Sequence, residues 1–224
     1  MKFGVLVFPG SNCDRDCHHV LTTVLGASAE FVWHRETSVD GYDALVVPGG
    51  FSYGDYLRAG AVAKLSPVME AARAFADRGG PVIGICNGFQ ILLECGFLPG
   101  AMLRNTSLRF VCRPVSLRVA TDRTPFTARY PRGAVLQMPV AHAEGNYFID
   151  SDGLARLRDE DQIVFEYLDN PNGSVADIAG ICNARGNVVG LMPHPERAAE
   201  SVLGSTDGLD VFRSAVERVA GGVR

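Results

Sequence analysis

Residues 81–95 read PVIGICNGFQILLEC, an apolar run that passes into a helical pattern at Cys86. The part before the cysteine has the character of a buried strand, and the part after it that of a helix. Gly84 and Gly88 stand two residues on either side of Cys86, as in the sharp strand-to-helix turn that exposes a nucleophile. Glycines are expected there because larger side chains would collide with the neighbouring strand and helix. Cys86 is therefore the candidate nucleophile, and the positive end of the helix favours its thiolate form.

Strand and helix patterns alternate around this segment, and their order predicts the fold class. A helix with Ser66 as its cap and Pro67 at its first position is predicted over residues 66–78. The alternation indicates an α/β fold, a mainly parallel central sheet with helices on both faces, in one domain spanning residues 1–224. The other predicted strands are 2–8, 29–34, 44–47, 101–119, 134–140, 163–168, 178–182 and 188–191, and the other predicted helices are 14–25 and 208–220.

The overall composition excludes several classes of function. The formal net charge is −4 at pH 7, without the clustered basic excess that a nucleic-acid or anionic-membrane surface needs. No apolar run is long enough to span a bilayer, and the N-terminus is better interpreted as a first strand than as a signal peptide. We therefore expect a cytoplasmic protein with neither a nucleic-acid nor a membrane partner.

Six cysteines are scattered along the chain without paired spacing, which fits free thiols in a reducing compartment. Cys13 and Cys17 are followed by His18 and His19, a combination that could bind a metal ion. A four-ligand zinc site usually shows a second ligand pair, and none is found here. We therefore expect no metal site, with Cys17 packed inward near the start of a helix.

A cysteine nucleophile needs a base, and the base needs a third group to orient it. Among the five histidines, only His194 comes with an acid in a constrained frame, Pro193-His194-Pro195-Glu196. The prolines keep the segment extended, and residues two apart in an extended segment face the same way. Glu196 can therefore reach the imidazole, and both groups follow a strand end, where active sites of parallel sheets lie.

A tetrahedral intermediate also needs two backbone N–H groups directed at its oxygen. Asn87, next after the nucleophile, supplies one candidate. Gly50, in the segment Pro48-Gly49-Gly50 at the end of another buried strand, supplies the other, because glycine allows close approach and unusual dihedral angles.

These three elements, in this order, resemble the triad-type (class I) glutamine amidotransferases. The signature of that family is P-G-G, then G-x-C-x-G-x-Q, then a late H-P-E, and all three are present here. The resemblance implies a flavodoxin-like amidotransferase fold and a glutaminase reaction at Cys86, His194 and Glu196. It also implies that Gln90 binds glutamine. Phe51 and His142 are further expected glutamine contacts, and Glu144 is expected to border the same pocket without a catalytic role.

Longer segments are similar to one subfamily, the glutaminase subunits of phosphoribosylformylglycinamidine synthase in de novo purine synthesis. These segments are PGSNCDRD (9–16), PGGFSYGDYLRAGA (48–61), GICNGFQIL (84–92), RNTSLRFVCR (104–113), NPNGSVADIAGI (170–181) and LMPHPER (191–197). The resemblance implies two partners, a large synthetase subunit that uses ATP and magnesium and a small bridging subunit. It implies no cofactor in this chain, in agreement with the lack of a G-x-x-x-x-G-K-[ST] phosphate loop.

Two other interpretations remain open. One is a different cysteine hydrolase of the intracellular protease-like group, whose members generally lack the late H-P-E. The other is a non-catalytic binding module, which the loss of Cys86, His194 or Glu196 would indicate. All three residues are present.

Overall fold

The computed structural model describes residues 1–220, so the last four residues of the predicted domain lie outside the described part. It contains eleven strands and five α-helices. The strands are β1 (Lys2–Val7), β2 (Ser28–Trp33), β3 (Ala44–Val47), β4 (Val82–Ile85), β5 (Ala101–Leu103), β6 (Val111–Val119), β7 (Val135–His142), β8 (Asn146–Phe148), β9 (Ile163–Tyr167), β10 (Ile178–Cys182) and β11 (Val188–Leu191). The helices are α1 (Asp14–His19), α2 (Pro67–Asp77), α3 (Asn87–Glu94), α4 (Ser151–Asp159) and α5 (Leu209–Ala220).

Nine strands form one sheet in the order β2-β1-β3-β4-β11-β10-β9-β6-β7. The first five strands in this order, from β2 to β11, are parallel to one another, which confirms the predicted α/β fold where the nucleophile lies. Strands β10, β9, β6 and β7 continue the sheet with antiparallel pairing. Every residue of β3, β4 and β11 is buried, so both faces of the parallel half are covered.

The first helical segment buries one of its faces in the core. Helix α1 continues as a π-helical turn, Val20–Val24, and Cys17, Val20 and Leu21 are all buried. The chain then returns through β2, which pairs with β1 at one edge of the sheet. Cys17 is therefore a core residue, as predicted.

Three local predictions are wrong or incomplete. Ser66 occupies the cap position of α2, but its side chain makes no capping hydrogen bond, because its hydroxyl pairs with Tyr53 Oη at 2.9 Å. The predicted strand 101–119 is divided into β5 and β6 by an irregular loop. Helix α4 was not predicted; Asp150 caps it by accepting the Gly153 N–H at 2.7 Å.

Candidate active site

The chain makes a strained turn where β4 meets α3. Cys86 has φ +50° and ψ −105°, a conformation that is costly for a residue with a side chain. A Cβ on Gly84 would lie 2.5 Å from Leu92 Cδ1, and a Cβ on Gly88 would overlap the carbonyl of Val47 at the end of β3. The two glycines therefore allow helix and strands to approach as closely as the sequence predicted.

Cys86 lies at the carboxyl end of β4, beside the end of β11. Its N–H donates to the carbonyl of Leu191 at 2.8 Å, and its thiol donates to the carbonyl of Ala141 at 3.7 Å. Three residues after Leu191, the His194 N–H donates to the carbonyl of Pro139 on β7 at 2.9 Å. These backbone bonds bring the elbow and the late histidine to the same edge of the sheet.

His194 and Glu196 form a buried pair. The two atoms His194 Nδ1 and Glu196 Oε1 are 2.5 Å apart, and the two residues are each 2 % exposed. Burial opposes the charge on the imidazole, but the Glu196 carboxylate and the Cys86 and Cys13 thiols together raise the pKa of His194 well above its usual value. The pair therefore favours imidazolium next to the nucleophile.

The second ring nitrogen of this histidine is available for chemistry. Within the described residues, His194 Nε2 and Glu196 Oε2 are buried and have no hydrogen-bond partner. Because an unpaired buried polar atom costs about 1–3 kcal/mol, such an atom in a native site calls for a functional explanation. With Nδ1 bound to the acid, Nε2 is the nitrogen left to exchange a proton with a thiol or a substrate.

Cys13 joins this site, which sequence reasoning missed. A Cβ on Gly49 would lie 2.8 Å from His194 Cε1 and 3.1 Å from Cys13 Sγ, so this glycine makes room for both side chains. Arg197 Nη2 lies 3.1 Å from Cys13 Sγ, and Arg197 Nε lies 3.3 Å from a carboxylate oxygen of Asp16. The sequence singled out Cys13 through its pairing with Cys17 and through the PGSNCDRD segment, but neither pattern indicates which distant residues it contacts.

Cys13, His194 and Glu196 each offer a metal-ligand atom, and these atoms lie within 4.8 Å of one another. The histidine and the glutamate are already bound to each other, and the Arg197 guanidinium places a positive charge against the thiol. Cys17 and His18 do not join them, since His18 stacks on Phe31 with the ring centroids 4.5 Å apart. The donor set therefore fits a hydrolytic site better than a cation site.

Both predicted oxyanion-hole donors lack a protein acceptor in the structure. Among residues 1–220, neither the Gly50 N–H nor the Asn87 N–H takes part in a backbone or side-chain hydrogen bond within the protein. The Gly49 carbonyl accepts from the Cys13 N–H at 3.2 Å, and the Gly50 N–H points the opposite way along the same peptide. Gly50 has φ +145°, a value that favours glycine.

A chain of polar side chains extends from the elbow. Asn87 Nδ2 donates to Gln90 Oε1 at 2.9 Å and to Asp55 Oδ1 at 3.4 Å, and Asn87 Oδ1 accepts the Ser52 N–H at 3.0 Å. Gln90 Nε2 donates to the backbone carbonyl of Glu144 at 2.6 Å. The side chain of Gln90 is thus bonded to the protein at both ends and shapes the site, while its contact with glutamine stays a prediction.

His142 lies behind the nucleophile in a buried polar network. Its Nδ1 is 3.1 Å from Asn105 Oδ1, and its Nε2 is 3.4 Å from Asn172 Nδ2. Burial and the neighbouring His194 lower the pKa of His142 to about 4, so the ring is neutral at pH 7. Both ring nitrogens are occupied, which gives His142 a supporting position; its predicted contact with glutamine also stays a prediction.

The loop after Gly50 lies next to these groups. Phe51 is 47 % exposed, which leaves its predicted glutamine contact sterically open. Tyr53 turns inward, where its hydroxyl lies 2.8 Å from His34 Nδ1. Arg58 makes a bidentate pair with Glu94 on α3, with both N–O distances 2.6 Å. The loop is therefore anchored at two points, and its most exposed apolar groups lie between them.

Comparison with known proteins assigns the chain to a family. Residues 1–217 match the CobB/CobQ-like glutamine amidotransferase domain family. This chain belongs to that family. The chain is 57 % identical to phosphoribosylformylglycinamidine synthase subunit PurQ of Koribacter versatilis, over 98 % of this chain and 99 % of the relative. It is 56 % identical to the subunit of the same name from Moorella thermoacetica, over 97 % and 96 %.

Solved structures agree with this assignment. A chain in the structure of PurLQS from Thermotoga maritima superposes with a TM-score of 0.90 at 43 % identity, over 97 % of this chain and 98 % of that one. A glutamine amidotransferase from Thermotoga maritima has a TM-score of 0.61 at 15 % identity, which shows the shared fold alone. The family resemblance and the amidotransferase fold predicted from the sequence are confirmed.

Among the helices of residues 1–220, none has the length and apolarity that crossing a bilayer requires.

Proposed function

We propose that this amidotransferase is the glutaminase subunit of a phosphoribosylformylglycinamidine synthase, which acts in de novo purine biosynthesis. The observation that carries the glutaminase activity is the buried His194–Glu196 pair, 2.5 Å between heavy atoms, at the same sheet edge as the Cys86 elbow. The full-length relatives at 56–57 % identity support the specific synthase.

In this reaction Cys86 acts as the nucleophile. The Cys86 sulfur attacks the γ-carboxamide carbon of glutamine, and His194 holds the thiol proton on Nε2. The tetrahedral intermediate collapses when the C–N bond breaks and His194 donates that proton to the departing nitrogen, which leaves as ammonia. Glu196 fixes the imidazole and stabilises its positive charge throughout.

The second half of the reaction restores the enzyme. Water attacks the glutamyl thioester, His194 accepts the water proton, and glutamate leaves as the C–S bond breaks. The Gly50 and Asn87 N–H groups are the donors for the oxyanion in both halves. No metal or cofactor enters these steps.

The proposed assembly separates ammonia production from ammonia use. A large synthetase subunit, using ATP and magnesium, activates the amide oxygen of formylglycinamide ribonucleotide for displacement by ammonia, and a small subunit bridges the two. The structure of PurLQS from Thermotoga maritima, which contains a chain similar to this one, supports such an assembly. A cytoplasmic location is part of the proposal, supported by six cysteines that are all free.

We expect the isolated chain to be a poor glutaminase that gains about 100-fold in kcat when the synthetase partner and its ligands are added. Hydrolysis without an acceptor would waste glutamine. The exposed face of the loop after Gly50 is suited to contact the partner, because Tyr56 is 73 % and Leu57 81 % exposed. Docking there can fix the Gly50 N–H toward the oxyanion, and one such donor accounts for roughly 10²-fold in other acyl-transfer enzymes. The gain appears in kcat because the donor acts on the transition state.

Glutamate release and glutamine-dependent formation of formylglycinamidine ribonucleotide, each measured with and without the synthetase, test this proposal. Tyr56→Ala should weaken the activation while Cys86 still reacts with a glutamine-like electrophile, and Val202→Ala, an exposed side chain elsewhere, serves as control. Tyr53, in the same loop, is not suited to this contact because its hydroxyl is bonded to His34 and Ser66 inside the protein. Full activity of the chain alone, unchanged by the partner, would refute the control mechanism and leave the triad standing.

A further inference from the structure

Two carboxylates beside the elbow have little neutralising charge near them: Asp55 has no cationic partner within residues 1–220, and the partner of Glu144 is distant and exposed. Asp55 is half-buried, and its Oδ1 accepts a hydrogen bond from the neutral amide Nδ2 of Asn87 at 3.4 Å. Within residues 1–220 it forms no salt bridge. Glu144 reaches the same region from the loop after β7, and the guanidinium recorded near it, Arg104, is 4.0 Å away and 75 % exposed. A partly buried like-charge pair is unfavourable unless a positive group joins it.

The loop that carries Asp55 also contains a buried hydroxyl without a hydrogen-bond partner among the described residues, that of Ser52. The Ser52 hydroxyl is buried, with the residue 2 % exposed, and within the described residues it has no hydrogen-bond partner. The Ser52 N–H is bonded to the Asn87 side chain, which also contacts Asp55. A buried hydroxyl without a partner is a group that a bound polar ligand can complete. The Asp55 and Glu144 carboxylates and the buried Ser52 hydroxyl thus indicate a ligand that carries a positive charge and can form hydrogen bonds.

The position of these groups next to Cys86 indicates that the ligand is the substrate of the reaction at this cysteine. Asn87 is the residue directly after Cys86, and Gln90 links it to the backbone of Glu144. Glutamine reacts at its γ-carboxamide, so its α-carbon must lie to one side of the thiol. That carbon carries the one positive charge of the substrate.

We propose that Asp55, assisted by Glu144, binds the α-ammonium group of glutamine and so selects α-amino substrates for the reaction at Cys86. The inference rests on the glutaminase function proposed above. Asn87 then has two tasks: its backbone N–H serves the oxyanion, and its side chain holds Asp55 in place. The α-ammonium supplies the positive charge that Asp55 lacks and reduces the repulsion between the two carboxylates.

The pH dependence follows from the same contacts. Burial, and secondarily the charge of Glu144, raise the pKa of Asp55 to about 6. The groups facing Asp55 are Glu144 from the loop after β7 and the neutral Asn87 amide from α3. The ammonium binds the ionised carboxylate, so KM for glutamine should rise as the pH falls through about 6. An asparagine at position 55 should remove that rise.

The test compares glutamine with glutaramate, the same molecule without its α-ammonium, using the full chain together with its synthetase. Asp55→Asn should lower kcat/KM for glutamine about 10- to 100-fold, mainly through KM, because a charge-assisted hydrogen bond is lost. In the same variant, kcat/KM for glutaramate should change less than about threefold. Asparagine is nearly isosteric and tolerates the φ of +53° at this position. Asp40→Asn, on an exposed loop, is the matched control.

Equal losses on both substrates, or no loss on glutamine, would overturn the assignment of Asp55. Labelling of Cys86 by iodoacetamide verifies in each variant that the nucleophile is intact. A wild-type complex that fails to hydrolyse glutamine would refute the proposed function instead, so the two failures are distinguishable.

Discussion

Replacing Cys86 by alanine is expected to abolish glutamine hydrolysis, with a loss of kcat of at least about 10⁴-fold. The thioester route requires a sulfur at the strand-to-helix turn, and Cys86 is the cysteine at that turn. Cys95, Cys112 and Cys182 are outside the cluster formed by Cys86, His194 and Cys13. Covalent labelling by a glutamine-like electrophile should disappear in the same variant.

The matched control for this variant is Cys112→Ala, because Cys112 is an exposed thiol on β6. It should retain full activity and full labelling by the glutamine-like electrophile. Labelling that persists in Cys86→Ala would mean that another residue is the nucleophile.

His194→Ala is expected to be nearly as damaging, within about tenfold of Cys86→Ala, because members of a triad act as a unit. In the part of the chain that the structure describes, His194 Nε2 is buried without a hydrogen-bond partner, and the Cys86 thiol is close enough to raise the pKa of this histidine. Its loss also leaves the Glu196 carboxylate buried and unpaired. Ammonia release in the saturated complex measures the effect, and His19→Ala, an exposed histidine bound to Glu200, is the control.

Glu196→Gln should be milder, by about 50-fold relative to His194→Ala, as for the acid of another hydrolase triad. It removes the charge that stabilises imidazolium but keeps a hydrogen-bonding group. If Glu196→Gln proved harmless and Glu144→Gln severe, the orienting acid would have to be reassigned.

The elbow and the His–Glu pair could be predicted from sequence because local geometry determines them. Glycines two residues from Cys86 are needed where helix and strands approach closely, and the structure shows those close approaches at Gly84 and Gly88. The spacing of His194 and Glu196 in a proline-restricted frame likewise predicts their contact. Their catalytic roles stay predictions until variants are measured.

Other features depend on contacts between distant segments, which sequence patterns do not record. Cys13 meets His194 and Arg197 across more than 180 residues of chain. Tyr53 faces inward because the loop adopts positive φ at several non-glycine positions, among them Tyr53 itself and Leu57. Helix α4 was missed because it is short, largely polar and contains a glycine.

The most direct test of the account is to trap the intermediate itself. The complex is quenched in acid during steady-state turnover of glutamine, digested, and the peptide containing Cys86 is examined by mass spectrometry. Cys86 is expected to carry a glutamyl adduct that forms with glutamine and is absent from samples incubated with buffer alone. Turnover of glutamine with an adduct on a different residue, or with no adduct when hydrolysis of the thioester is made rate-limiting, would contradict it.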